Sequence, residues 1–136
     1  MIIERFETAQ VAPRWGLLRV LTRDGAEGFG EYTVEGQLGA AEAALRAFEP
    51  LFIGKDARQI KRLVRCAFDR NFYHGGAHYM SALGGIEIAL WDLAGKAAGQ
   101  PIHQLLGGKV RDRVKVYRWA GGNNNSAQAA AEEAAR

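Results

Sequence analysis

One cysteine, three prolines and two methionines stand in a chain of 136 residues. A single cysteine, Cys66, excludes an intrachain disulfide. Its place in the apolar series Leu63, Val64, Ala67, Phe68 predicts a buried small residue and favours a reducing compartment. No apolar run approaches the ~20 residues that a membrane helix needs. The opening MIIERFETAQ has no basic segment leading into an apolar one. A cytoplasmic chain with no membrane partner is therefore expected. Charge of one sign is scarce too: 18 Lys and Arg face 15 Asp and Glu, and the basic residues are scattered, so no nucleic-acid partner is expected. Arg58, Lys61, Arg62 and Arg65 lie at helical spacing beside Ile60, Leu63 and Val64, the pattern of a solvated amphipathic face.

What is present is enough for one domain with a modest core, since 48% of residues are apolar. Ile2 to Thr8, Gly16 to Thr22 and Gly28 to Tyr32 read as strands, the last two joined by a hairpin at Arg23-Asp24-Gly25. Pro13 forbids a ladder hydrogen bond between the first two strands, so Val11 to Trp15 is a loop carrying an Arg-Trp pair. Leu38, Ala41, Leu45 and Phe48 predict a helix from Gln37 to Glu49 that stops before Pro50. Asp56 suits the N-cap of a second helix, with Ile60, Leu63, Val64, Ala67 and Phe68 facing inward. Met80, Leu83, Ile86, Leu90, Leu93 and Ala97 step by three or four along a third helix stopped by Gly99. Its few charges predict a nearly surrounded element, and Gly84-Gly85 would admit another backbone. Pro101 opens a short helix through Leu106, in which His103 reads as a partly buried polar residue. Val114 to Trp119 reads as a new strand, followed by a loop and an Ala-Glu-Arg-rich helix.

Most motifs that could carry chemistry fail on spacing. His74 and His78 are four apart, but Gly75-Gly76 between them argue against a helix, and zinc wants three or four ligands. Gly28-Phe29-Gly30 could open a dinucleotide fingerprint, yet Thr33 stands where its third glycine belongs. Gly107-Gly108-Lys109 lacks the first glycine and the Ser or Thr of a phosphate loop. Glu31, Glu35, Glu87 and Asp92 form no obvious carboxylate pair, and no Ser-His-Asp or Cys-His set has local support. Composition and periodicity end at an α+β domain with no catalytic residue and no metal site of its own.

The order of residues goes further. The run Ser81-Ala82-Leu83-Gly84-Gly85-Ile86-Glu87-Ile88-Ala89-Leu90-Trp91-Asp92-Leu93-Ala94-Gly95-Lys96, then Gly99-Gln100-Pro101-Ile102 and Gln104-Leu105-Leu106-Gly107-Gly108, resembles the enolase superfamily, mandelate racemase subgroup. Pro13-Arg14-Trp15, Gly28-Phe29-Gly30-Glu31, Asn71 to Gly76 and Arg111 to Tyr117 are most similar to its galactonate dehydratase branch, although His74 replaces an expected Arg. The resemblance implies an α+β capping domain over residues 1–112, with a three-stranded antiparallel sheet and helices. Residues 113–136 then hold the first strand of a following (β/α) barrel and the start of its helix. A whole barrel takes ~250 residues, so the chain alone is expected to be inactive.

The resemblance further implies a magnesium-dependent hydro-lyase of carbohydrate catabolism. Mg2+, bound by the barrel and not by this chain, stabilises the enediolate left when a proton departs beside a carboxylate; loss of water then gives a 2-keto-3-deoxy acid. The small-molecule partner would be a sugar acid, in a homo-oligomeric enzyme. The cap would supply two lid loops. Val11 to Trp15 offers Arg14 and Trp15 to the substrate chain, and Thr33 to Gly36 offers Glu35 to a substrate hydroxyl. Trp119 would face the pocket from the end of the first barrel strand. Trp91 is structural, and Asp92 with Lys96 is an i, i+4 pair of small worth. Two alternatives stay open: a stand-alone dimerising module, or the cap of a racemase or cycloisomerase of the same superfamily.

Overall fold

The computed structural model describes residues 1–12, 14–73, 75–117 and 127–135. Three strands, β1 (Ile3–Val11), β2 (Trp15–Thr22) and β3 (Glu27–Glu31), form an antiparallel meander with β2 in the middle. The β2–β3 hairpin closes where Arg23-Asp24-Gly25 predicts it: Thr22 N donates to Ala26 O at 3.0 Å, and Gly25 takes φ 83°. Along β1 and β2 the side chains alternate, placing Phe6, Leu18 and Val20 on one face. Helices α1 (Leu38–Phe52) and α3 (Ala77–Ala98) cover that face, α2 (Ile60–Arg70) packs on those two helices, and the short α4 (Ile102–Leu105) follows. A further helix, α5, spans Ala127–Ala134.

The centre of the core is the seat of α3 on β3. Gly28 and Gly30 face inward, and a Cβ on either would lie 2.1 Å from Ala89 O or 2.0 Å from Gly85 O. Their absence of side chains lets the helix backbone rest directly on the strand. The Gly-Phe-Gly run is thus a packing device. Of the adjacent helical glycines, Gly85 meets Glu31 O and Gly84 meets nothing within 4 Å. Leu83, Ile86, Leu90 and Leu93 of α3 are buried, and between Ser81 and Gly95 Ile88 alone is exposed, at 49%. Helix α3 is thus nearly surrounded, as its composition predicts, with β2, β3, α1, α2 and α4 packed around it.

Asp92 and Lys96 do more than pair with each other at 2.6 Å. The Asp92 carboxylate accepts from Phe29 N at 2.9 Å, and Lys96 Nζ donates to Glu27 O at 2.9 Å. Both bonds satisfy backbone groups on the free edge of β3. An open edge is a template for another strand, and these two side chains close it.

Five local expectations differ from the structure. Helix α1 continues through Pro50 to Phe52, because proline removes one helical donor while the ring of Phe52 is fully buried 6.0 Å from Phe6. Helix α2 begins after Gln59, with no side-chain cap. Asp56 instead turns the chain just upstream, accepting from Arg58 N at 3.1 Å and pairing with its guanidinium at 2.7 Å. Cys66 is exposed, since Ala67 takes the inward position and Cys66 lies about 100° around the helix from it. His103 is likewise exposed on α4. Over 114–117, the described part of the segment read as a strand, the backbone forms no ladder, and Val114, Val116 and Tyr117 are exposed. A strand needs a neighbour to pair with, and no other strand lies beside it among the described residues.

Arg58 holds the Asp56 carboxyl well below its ordinary value, at about 2, chiefly through the side-chain hydrogen bond and then through Arg58 N. A carboxylate whose pKa is lowered by folding stabilises the fold above its unfolded value and loses that contribution as pH falls through the folded one. The melting temperature is therefore expected to drop between about pH 4 and pH 2. Thermal melts of Asp56→Asn should show a smaller drop over the same window; an unchanged drop would remove Asp56 from the account.

Candidate functional site

At one end of the sheet two loops meet. Trp15 opens β2 directly opposite Val11 at the end of β1, and Arg14 just before it is exposed. Pro13 lies outside the described residues. The second loop leaves β3 and enters α1, turning at Gly36, whose φ is 73°.

The two loops are fastened together at Gly16. Its N–H donates to Thr33 Oγ1 at 2.9 Å, and its carbonyl accepts from Tyr32 N at 2.9 Å. A Cβ at Gly16 would strike Leu38 at 2.3 Å and the Tyr32 ring at 2.8 Å, so glycine is required for this approach. Tyr32 is fully buried beneath the loops, and burial, with the Glu42 charge adding to it, pushes its phenol pKa up.

The expected site residues Arg14, Trp15 and Glu35 come together. The Arg14 guanidinium makes an ion pair with the Glu35 carboxylate and lies over the Trp15 ring, 5.1 Å from its centroid. All three are exposed, Trp15 at 39%. The result is a cation and a carboxylate beside a flat aromatic face, the polar and apolar components suited to a polyhydroxylated chain. Trp119, the fourth expected residue, lies outside the described residues.

Helix α3 braces the second loop, a role not visible in the sequence. Ser81 Oγ donates to Thr33 O at 3.0 Å, and the His78 ring hydrogen-bonds to Gln37 Oε1. Ser81 stands at the head of the long run that carries the family resemblance, and that position was the only signal available. His78, four residues from His74 in the sequence, thus serves the loop; His74 lies outside the described residues. On the far side, Glu42 of α1 accepts from Thr8 Oγ1 at 2.7 Å and from Gln10 Nε2 at 3.0 Å, bonds that lower its pKa. The lid end of β1 is thus tied to α1.

Among the described residues, no three His, Cys, Asp or Glu side chains group so as to hold a metal ion. Glu35 is engaged by Arg14, and Asp92 by Lys96 and Phe29 N. These residues do not fit a magnesium site. No helix among them is long and apolar enough to cross a membrane.

Residues 5–107, the sheet, helices α1 to α4 and both loops, match the family model described as mandelate racemase / muconate lactonizing enzyme, N-terminal domain. The chain belongs to that family. It is 50% identical over 123 residues to the D-galactonate dehydratase of Variovorax paradoxus, covering 90% of this chain and 32% of that protein. The D-galactonate dehydratase of Xanthomonas campestris is 46% identical over 127 residues, covering 93% of this chain and 33% of that protein. The chain therefore spans about a third of the length of these relatives. An enolase from Pantoea ananatis with bound D-gluconate and Mg superposes with a TM-score of 0.77 at 34% identity, over 82% of this chain and 28% of that one. A member of the enolase superfamily from Salmonella Typhimurium gives 0.84 at 26% identity, over 98% and 40%. The enolase-type capping fold expected from the Ser81 to Gly108 signature is the fold observed.

Proposed function

We propose that this chain supplies the capping lid of an acid-sugar dehydratase acting on galactonate or a close relative. The observation that carries the proposal is the meeting of Arg14, Trp15 and Glu35 across two loops fastened at Gly16. The chain's likeness to D-galactonate dehydratases, at 46–50% identity, supports this choice of substrate class. On this proposal residues 1–112 are the cap and residues 113–136 lead into a barrel. The reaction removes a proton beside the substrate carboxylate and expels a hydroxyl as water; a magnesium ion, held outside the residues described here, would supply charge stabilisation for it.

The chain's own part is recognition and exclusion of water. Glu35 accepts a hydrogen bond from a substrate hydroxyl, Arg14 donates to another oxygen, and Trp15 packs on the C–H face of the sugar acid. The Arg14–Glu35 ion pair keeps both groups in place before substrate arrives. Because the proton-abstracting bases are assigned to the barrel, residues 1–136 with magnesium and a panel of sugar acids should show no turnover above background.

The positive test is a chimera in which residues 1–112 replace the matching segment of the Variovorax paradoxus enzyme. Dehydration of D-galactonate by the chimera is expected, and Arg14→Gln or Glu35→Gln should each lower kcat/KM about tenfold, or ~1.4 kcal/mol of transition-state binding. A folded chimera that turns over no sugar acid would sink the proposal.

A second reading, self-association, is favoured by the open face of the sheet. Leu17, Phe29 and Val11 are 41–48% exposed there, opposite the helix-covered face. Sedimentation of the 136-residue chain should show a dimer that Leu17→Glu dissociates; a monomer at every concentration would rule this out.

A further inference from the structure

The structure assigns a second binding site to this chain, a cleft between the C-terminal end of α1 and α2 that takes a small organic anion of two or more charges. The cleft measures about 620 Å³. Pro50, Leu51 and Leu63 give it apolar walls, and Lys55, Arg62 and Arg70 stand around it. It lies at the opposite end of α1 from the lid loops, about 20 Å away by the rise of a 15-residue helix. The site thus goes beyond the proposed lid function and does not depend on it.

The cleft gathers cations that lack an acidic partner. Among the described residues, every lysine and arginine up to Gly108 has a carboxylate partner within ion-pair distance except Arg23, Lys55, Arg62 and Arg70. Three of those four line this one cleft. Arg62 donates only to the neutral amide oxygen of Gln59, at 3.1 Å. The one acid in the lining, Asp56, cannot neutralise them, because Arg58 holds both its oxygens at 2.7–3.1 Å. Arg62 and Arg70 flank Cys66 at i−4 and i+4 on the same face of α2. Carbonyls at the end of α1, which would repel an anion, are partly engaged: Glu49 O accepts from Ile53 N at 3.1 Å and Phe52 O from Lys55 N at 3.0 Å. Three unpaired cations beside an apolar wall suit a ligand with charged oxygens and a carbon body, a phosphate ester or a polycarboxylate.

Cys66, the sole cysteine, lines the cleft and reports on its occupancy. The experiment alkylates the full 136-residue chain with neutral iodoacetamide at ionic strength fixed by chloride, with inorganic phosphate or citrate added. An anion at ten times its dissociation constant leaves the cleft open about a tenth of the time, so alkylation should slow about tenfold and saturably. Slowing by phosphate alone assigns phosphate esters, and by citrate alone polycarboxylates. In Arg62→Gln/Arg70→Gln, whose substituted side chains are exposed and outside the core, the protection should vanish while circular dichroism is unchanged. Absence of saturable slowing, equal slowing by chloride, or protection retained in the double variant overturns the assignment.

Discussion

Gly30→Ala is expected to destabilise the chain by about 3 kcal/mol, a large share of what a domain of this size has. The new Cβ would lie 2.0 Å from Gly85 O and 2.9 Å from its carbonyl carbon, and both atoms belong to the backbone of the central helix. No side chain can rotate away to make room, so α3 as a whole must move off the sheet. The same physics predicts opposite signs at two adjacent glycines. Gly85→Ala places a Cβ 2.8 Å from Glu31 O and should destabilise, whereas Gly84→Ala meets nothing and should stabilise by up to ~1 kcal/mol through helix propensity. Urea midpoints of the three variants check this. Equal effects at Gly84 and Gly85 would mean that the helix does not rest on β3 as described.

Phe52→Ala should cost about 3–5 kcal/mol, the usual range for emptying a buried aromatic site. Phe52 is the last residue of α1, two beyond Pro50, and its ring is completely buried beside Phe6. Were the helix to end before the proline, this side chain would sit in a surface connection and its loss would matter little. Denaturant unfolding of Phe52→Ala and Phe52→Leu separates the cases, because leucine should restore part of the loss. A cost below about 1 kcal/mol for the alanine variant would place Phe52 outside the core.

These core contacts bear on the lid. Gly16, Tyr32 and Thr33 belong to the sheet and its exit, and Ser81 and His78 belong to α3, so the second loop is fixed by the element that Gly28 and Gly30 receive. Arg14 and Glu35 thereby meet across turns anchored on both sides. A substitution that shifts α3 should move Glu35 as well, and activity in the chimera should fall before the fold is lost.

The hairpin at Arg23-Asp24-Gly25, the inward stripe of Leu83, Ile86, Leu90 and Leu93 and the stop at Gly99 were all legible in the sequence, as was the family. Each follows from a property of neighbouring residues: turn chemistry, a period of 3.6, or residue order. Arg14, Trp15 and Glu35 were identified as lid residues only through that resemblance. The Arg14–Glu35 ion pair could not be derived, because 21 residues separate the two.

What local pattern left undecided was settled by long-range packing. Pro50 reads as a stop until the burial of Phe52 outweighs one missing helical donor. Cys66 reads as buried until Ala67 takes the inward position. Asp92 and Lys96 read as a weak surface pair until the free edge of β3 supplies a backbone donor and acceptor. The sequence by itself determined the three-stranded meander, the core helices and the family, since these are written in near neighbours and residue order. Only the tertiary structure decided which glycines are obligatory, how the two loops are joined and which cations lack a partner, because those depend on atoms brought together from distant parts of the chain.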